Sequence, residues 1–276
     1  MGKQSISVVV SSYNQPIALK LVLCGFAAQD DLDFEMVIAD DGSDAKTLAL
    51  LGDLCTKAPF RAKFTTHEHC GFGKARALNE AILQTEGEFL IFCDGDCVPF
   101  CNFVSTHKAF LQLNSFCTGG YVRLTLNQSQ NLTPDDITHR RHERYLTGAQ
   151  KKQLLRVHFK NLLYRRLLPF KQKEPKILGG NFSVDRRSIF AVNGFDESLQ
   201  CSKEDSDIRN RLRNLGCTYR SLWNKAYVCH LNHNIDPARC TPSDLRGKSN
   251  KVFYEANRKR IRSVQGLDLH KTTSCP

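Results

Sequence analysis

The 276-residue sequence has no continuous apolar run that approaches the ~20 residues of a membrane-spanning helix. It does not open with the basic and then apolar segments of a secretory signal, and it has no internal repeat or low-complexity tract. Its 12 cysteines include no C-x₂-C pair, which argues against a zinc ribbon. A disulfide framework is unusual in a chain of this size. We therefore expect a cytoplasmic protein with reduced thiols.

Basic residues are in excess. The chain carries 39 Lys and Arg against 28 Asp and Glu, a formal net charge of +11. Such an excess indicates anionic partners, namely nucleotides, anionic lipid or nucleic acid. The length is sufficient for one large domain or two small ones with a sizeable core.

Strand-like and helix-like segments alternate through the first hundred residues. Strands are predicted at 6–12, 34–40, 61–65 and 89–93, and helices at 17–28, 45–56 and 74–85. This alternation is typical of an α/β fold with a mostly parallel sheet flanked by helices.

An acidic turn follows the fourth predicted strand. Residues 89–93 are apolar and suit a strand buried on both faces, and Asp94 and Asp96 follow with Gly95 between them. Ligand sites in open α/β sheets lie at the carboxyl ends of the strands. Two carboxylates there suit Mg²⁺ or Mn²⁺ carrying phosphate oxygens. The alternative is a polar turn without a ligand.

Other strand ends carry side chains that suit a nucleotide. Tyr13 follows the first strand, and its ring can stack on a base, whereas Asp41 follows the second and can accept a hydrogen bond from a base or a ribose. Lys74 and Arg76 begin a helix after a glycine-rich turn and can bind a diphosphate. Taken singly, these residues also fit ordinary turns and a solvated helix face.

The motifs at 8–14, 37–43, 71–79 and 94–96 together resemble those of family 2 glycosyltransferases, which have the GT-A fold and use nucleotide sugars. The resemblance covers about residues 5–235. It implies that Tyr13 packs on uracil, that Asp41 binds the base and that Asp96 holds the metal. The donor-binding residues that it implies are Ser12, Tyr13, Asp41, Lys74, Arg76, Asp94, Gly95 and Asp96.

A basic segment at 150–173 has leucines at helical spacing and no acidic residue. A helix of this kind can lie on an anionic membrane surface, which would make the protein peripheral on the inner face of a membrane. The alternatives are an ordinary helix with a charged outer face and a nucleic-acid contact.

Residues 177–184 return to a strand pattern, and Lys203 to Gly216 predict a helix that begins with acidic residues. These acids can simply complement the helix dipole. The family resemblance implies more, with Asp205 as general base and with Gly180, Asn181 and Glu204 as acceptor-binding residues.

Two histidines, His230 and His233, follow a last predicted strand and can face one metal ion, or can be ordinary surface histidines. This region is similar to the β-1,4-galactosyltransferase and chondroitin polymerase branch, in which a residue here completes the metal site of Asp96. Imidazole ligands favour Mn²⁺ over Mg²⁺.

These observations predict one GT-A domain at 1–235, comprising a nucleotide-sugar half (1–125), a basic helical insert (126–176) and an acceptor and metal half (177–235). A basic helical tail follows at 236–276. The expected function is inverting, metal-dependent transfer of a hexose or N-acetylhexosamine from a UDP-sugar to a glycan or lipid-linked saccharide, with no nucleic-acid partner. A nucleotidyltransferase and a non-enzymatic nucleic-acid-binding protein are the alternatives.

Overall fold

The structure is a computed structural model, and it describes residues 5–152, 179–199, 203–223, 225–232 and 245–271. Beyond residue 152, the basic segment at 150–173 lies outside the described residues, as does His233. The described strands are β1 (Ile6–Ser12), β2 (Glu35–Asp40), β3 (Arg61–Thr65), β4 (Phe89–Asp94), β5 (Cys97–Pro99), β6 (Ser115–Thr118), β7 (Gly120–Arg123), β8 (Phe182–Asp185), β9 (Thr218–Ser221) and β10 (Tyr227–His230).

Helices alternate with strands through the first hundred residues, as the sequence predicts, and further helices follow. The described helices are α1 (Pro16–Ala27), α2 (Ala45–Lys57), α3 (Lys74–Leu83), α4 (Phe103–Phe110), α5 (Leu126–Asn131), α6 (Pro134–Thr138), α7 (Arg186–Ala191), α8 (Glu204–Asn214) and α9 (Leu245–Asn257). Short 3-10 helices occur at Arg141–Glu143 and Leu267–Leu269. No helix in the described part of the chain is both long and apolar enough to cross a bilayer.

Seven strands form the main sheet in the order β3-β2-β1-β4-β8-β6-β9. All pairs are parallel except those of β8, which runs antiparallel to β4 and β6. A smaller sheet has the order β5-β10-β7. The predicted α/β fold with a mostly parallel sheet flanked by helices is confirmed.

The core lies on both faces of the main sheet. Val8 and Val10 of β1 are buried in the cluster that includes residues of α1, whereas Val9 is buried in the cluster that includes residues of α3. Successive strand residues point to opposite faces, so a central strand covered on both sides must be apolar throughout. This requirement explains the continuous apolar runs of β1 and β4.

The structure contains strands that the sequence did not predict, among them β5, β6 and β9. Two predicted elements have other bounds. The strand predicted at 177–184 is described only from Phe182 to Asp185, because Gly179 and Asn181 are bonded to side chains and backbone outside the ladder. Within the basic helical tail predicted at 236–276, α9 ends at Asn257, and the Asn214 side chain binds the Arg258 and Arg260 carbonyls just beyond it.

A buried ion pair anchors α8. Arg211 is 1% exposed, and its Nε donates to Asp207 Oδ2 at 2.7 Å, one turn earlier in the helix. The same guanidinium donates to the carbonyls of Val192 and Gly194. These bonds hold α8 against the turn after α7 and thereby fix the direction of its amino terminus.

Arg211→Ala should lower the free energy of unfolding by about 3–5 kcal/mol, because it leaves the Asp207 carboxylate buried without its cation. The measurement is urea denaturation. Arg187→Ala, at an exposed arginine of α7, is the control and should change stability by less than about 0.5 kcal/mol. Equal effects of the two substitutions would show that the buried pair does not anchor α8.

Candidate active site

The parallel pairing of β1 with both neighbours brings three strand ends together. Ser12 lies opposite Asp40 of β2, and Ser11 lies opposite Asp94 of β4. Tyr13, Asp41 and the acidic turn therefore lie along one edge of the sheet, as the sequence predicts. This edge is where open α/β sheets place their ligands.

The acidic turn is fixed against the end of β1. Ser11 Oγ donates to Asp94 Oδ1 at 2.8 Å, and the Gly95 amide donates to the Ser11 carbonyl at 2.8 Å. A Cβ at position 95 would lie 2.6 Å from that carbonyl oxygen. Glycine is therefore required between the two acids if the turn is to pack this closely on β1.

Lys74 links the acidic turn to the start of α8. Its Nζ lies 2.7 Å from Asp94 Oδ1 and 3.8 Å from Glu204 Oε1. Burial alone would lower the pKa of Lys74, but the carboxylates of Asp94, Glu204 and Asp205 outweigh it and hold the pKa above its ordinary value. The Lys74 ammonium group is thus close to a carboxylate of the acidic turn and to a carboxylate of α8.

Asp205 projects from the first turn of α8 toward the two glycines at 179 and 180. Its Oδ2 accepts from the Gly179 amide at 3.0 Å, and a Cβ on Gly179 would lie 2.6 Å from Oδ1. A Cβ on Gly180 would lie 3.1 Å from Asp94 Oδ2. The two glycines therefore allow the Asp205 and Asp94 segments to approach the same stretch of backbone.

The Asp205 carboxyl has unused hydrogen-bonding capacity and a perturbed pKa. Burial, then the neighbouring Glu204 carboxylate, raise its pKa to about 7, although Lys74 acts in the opposite direction. Its Oδ1 is buried without a hydrogen-bond partner in the described residues, and so is Ser12 Oγ at the end of β1. Unpaired buried polar atoms are costly, and a bound ligand can supply the missing partners.

Antiparallel pairing of β5 with β10 brings a histidine to the acidic turn. Cys97 lies opposite His230, and His230 Nε2 is 3.7 Å from Asp96 Oδ2. Because His230 Nδ1 is 2.8 Å from the Leu231 carbonyl, Nδ1 is the donor and Nε2 faces the carboxylate. Ligand atoms of Asp96, Cys97 and His230 lie within 4.8 Å of one another.

These donors fit a divalent cation. Metal-bound histidines usually donate their second N–H to a carbonyl or carboxylate, as His230 does here. Cys97 Sγ lies 3.4 Å from Asp96 Oδ1, and burial followed by the Asp96 charge raises the pKa of this thiol well above its ordinary value. The site is therefore a carboxylate and an imidazole beside a protonated thiol.

Asp41 and Tyr13 form the other end of the edge. Asp41 is 5% exposed, and its Oδ2 accepts from the Gly73 amide at 2.8 Å. The Tyr13 ring, 36% exposed, stacks on His69 with centroids 4.4 Å apart. The structure thus places a half-exposed aromatic ring beside an oriented carboxylate.

Two predicted site residues have other contacts in this structure. Arg76 Nε bonds Glu80 at 2.9 Å, one turn along α3, and Lys74 alone of the two cations is bonded to the acidic turn in the described residues. Asn181 is completely buried, donates to the Gly120 and Ala226 carbonyls and bonds His107. None of the Asn181 surface is exposed in this structure, and its contact with an acceptor remains a prediction.

Sequence reasoning missed several residues of this edge. His67, His69 and Cys97 were not predicted as site residues, although each contacts a predicted site residue. The alternating His67-Glu68-His69 segment just before the glycine-rich turn was an available signal. The contact between Cys97 and Asp96 depends on how the acidic turn folds and left no such signal.

Comparison with known proteins identifies a family for this chain. The model of glycosyl transferase family 2 matches residues 7–168. An uncharacterized glycosyltransferase of Bacillus subtilis, YfnE, is 25% identical over 98% of this chain and 74% of its own length. Chondroitin synthase of Escherichia coli is 22% identical over 79% of this chain but only 33% of its own length.

Solved structures share the fold. Staphylococcus aureus TarS 1–349 in complex with UDP-GlcNAc superposes with a TM-score of 0.63 at 17% identity, covering 96% of this chain and 69% of that one. GalNAc-T7 with UDP, GalNAc and Mn²⁺ superposes with a TM-score of 0.61 at 15% identity, covering 91% and 48%. At these identities the likeness establishes the architecture.

Asp205→Asn should stabilise the protein more at pH 8 than at pH 5. A carboxyl whose folded-state pKa is raised destabilises the fold as the pH rises from its unfolded pKa to its folded pKa near 7, because the unfolded chain releases a proton that the buried carboxyl keeps. We expect a gain on the order of 1–3 kcal/mol at pH 8. Urea denaturation at both pH values measures it, and an equal effect at both would contradict the raised pKa.

Proposed function

Because this chain belongs to glycosyltransferase family 2, we propose that it is an inverting, metal-dependent enzyme. It moves a hexose or N-acetylhexosamine from a UDP-sugar to a hydroxyl group of a glycan or glycolipid. The observation that carries this proposal is the meeting of Asp94, Lys74 and the Asp205 carboxyl, whose Oδ1 has no hydrogen-bond partner in the described residues, at one edge of the sheet. Such a transfer needs a cation near the diphosphate, carboxylates that can bind a metal ion, and a base.

The donor is proposed from the nucleotide end of this edge. The half-exposed Tyr13 ring can stack on uracil, and Asp41 can accept from its imide N–H. TarS binds UDP-GlcNAc and GalNAc-T7 binds UDP, and both have the same fold as this chain. Ser12 Oγ, buried without a partner in the described residues, is available to a donor hydroxyl or phosphate oxygen.

Asp96 and His230 would hold the divalent ion, and His233, outside the described residues, remains a predicted third ligand. A carboxylate and an imidazole favour Mn²⁺ over Mg²⁺, because imidazole is the softer donor. When bound, the ion neutralises charge that develops on the leaving diphosphate. Lys74 adds a second positive charge 2.7 Å from Asp94.

Asp205 is proposed as the general base. With a pKa of about 7, the carboxylate is half ionised near neutral pH and can still accept a proton. It would take the proton of the acceptor hydroxyl as that oxygen attacks the anomeric carbon opposite the leaving diphosphate, which inverts the configuration. The Gly179 amide orients the carboxylate through Oδ2 and leaves Oδ1 for the acceptor.

The two alternative functions have no support. A nucleotidyltransferase needs a glycine-rich loop with Lys or Arg directly after β1, where this chain has Tyr13-Asn14. A non-enzymatic nucleic-acid-binding protein is not what the family match indicates.

Asp205→Asn should keep UDP binding and lower transfer by about 10²–10⁴-fold, because the amide cannot accept the hydroxyl proton. UDP affinity is measured by calorimetry, and transfer by UDP release from a panel of UDP-sugars with Mn²⁺ and saccharide acceptors. Asp53→Asn, on the exposed face of α2, is the control. Normal turnover by the Asp205 variant would refute the assignment of the base.

His230→Ala should weaken Mn²⁺ binding by at least about 10-fold, because it removes a nitrogen ligand that lies 3.7 Å from Asp96. Electron paramagnetic resonance of free Mn²⁺ measures this directly in the presence of UDP. His139→Ala is the matched control, since this exposed histidine pairs with Asp135 instead. If both variants bind Mn²⁺ as the unaltered protein does, His230 is not a ligand.

A further inference from the structure

Two histidines that precede the glycine-rich turn hold Asp41 from opposite sides. His67 Nε2 lies 3.0 Å from Asp41 Oδ1, and His69 Nδ1 lies 2.8 Å from the Asp41 carbonyl. The Gly73 amide binds the remaining oxygen, Oδ2. Every polar atom of Asp41 beyond its amide is therefore oriented by the segment at 67–73, although each carboxylate oxygen retains a second lone pair.

His67 also contacts a second carboxylate. Its Nδ1 lies 3.0 Å from Glu80 Oε2, and its side chain is 6% exposed. A neutral imidazole has one N–H, so bonds to two carboxylates need either a second ring proton or a proton on one carboxyl. His67 is thus held between Asp41 and Glu80 in a defined orientation and cannot rotate without breaking both bonds.

The same chain of contacts reaches the carboxyl-terminal segment. Glu80 Oε1 accepts from Arg76, and His270 Nδ1 lies 3.8 Å away from this oxygen. His270 Nε2 lies 2.6 Å from Glu197, which also accepts from Asn79 of α3. His270 therefore lies next to both Glu80 and Glu197.

The stacking of Tyr13 on His69 restricts where a base can bind. With ring centroids 4.4 Å apart and planes 14° apart, the two rings are already in stacking contact and leave no space for a third ring between them. A base must stack on an outer face of this pair, beside the oriented Asp41 carboxylate. Its hydrogen-bonding edge would then meet Asp41.

We propose that His67 is a positioning residue for nucleobase selection, which fixes the Asp41 carboxylate as an acceptor for the imide N–H of uracil and is itself supported by Glu80 and His270. The proposal rests on the proposed use of a UDP-sugar. Uracil presents a donor N–H at its imide position, whereas cytosine presents a lone pair there, so a fixed carboxylate accepts the first base and repels the second.

The contact between His67 and Asp41 matters because the Asp41 carboxyl is buried. Burial raises the pKa of Asp41, and the Gly73 amide and His67 act in the opposite direction. A buried carboxyl that became neutral would present an O–H, and cytosine could accept from it. Removal of His67 would therefore weaken the acceptor character on which discrimination depends.

The experiment is calorimetric titration of the full chain with UDP and with CDP, both with Mn²⁺. The unaltered protein should prefer UDP by about 10–100-fold, the range expected for one charge-assisted hydrogen bond. His67→Phe should reduce this preference to within about 3-fold, mainly through weaker UDP binding. His67→Gln, which can still donate to Asp41, should retain an intermediate preference.

Two further variants separate positioning from general destabilisation. Glu80→Gln should reduce the preference by a smaller factor than His67→Phe, because it removes only the far support of the imidazole. His142→Gln, a buried histidine bonded to the Pro99 carbonyl, should leave the preference unchanged. If His67→Phe does not fold, the other two variants test the proposal. The preference for UDP over CDP should then fall from the unaltered protein to Glu80→Gln and further to His67→Gln.

The outcomes distinguish this inference from the proposed donor. Equal loss of UDP and CDP affinity in the His67 variants, or an unchanged preference, would overturn the positioning role and leave the UDP donor intact. Failure of the unaltered protein to bind UDP would instead overturn the proposed donor, and the His67 inference with it.

Discussion

The ion pair between Lys74 and Asp94 is the contact on which the site depends. Its partners come from the start of α3 and the end of β4, and the same ammonium lies 3.8 Å from Glu204 at the start of α8. Several carboxylates could not lie this close together without a cation between them. Lys74 thus joins the proposed donor half of the chain to its proposed acceptor half.

Rigid elements hold each group of the site. Parallel pairing sets Ser12, Asp40 and Asp94 at one edge, and antiparallel pairing of β5 with β10 sets His230 beside the acidic turn. The buried Asp207–Arg211 pair directs the first turn of α8, which carries Asp205. Strand ends and the start of a helix therefore position Asp205, Asp96 and His230, and the segment at 67–73 orients Asp41.

The sequence predicted correctly those strands whose apolar pattern fits their central place in the sheet. Apolar runs that end in polar residues predicted β1, β2 and β4 and the edge where Tyr13, Asp41 and Asp94 meet. The sequence was less informative about residues whose surroundings depend on contacts between distant segments of the chain. Asn181 fits an acceptor motif but is buried by bonds to Gly120 and Ala226, and His67 gains its partners only when α3 packs beside β2.

The central claim is that Asp96 and His230 would hold one divalent ion next to the donor diphosphate. Electron–nuclear double resonance of Mn²⁺ bound to this protein with UDP tests it most directly. The account predicts phosphorus and histidine-nitrogen couplings on the same ion, with the nitrogen coupling lost in His230→Ala. Phosphorus coupling without nitrogen coupling in the unaltered protein, or nitrogen without phosphorus, would contradict it.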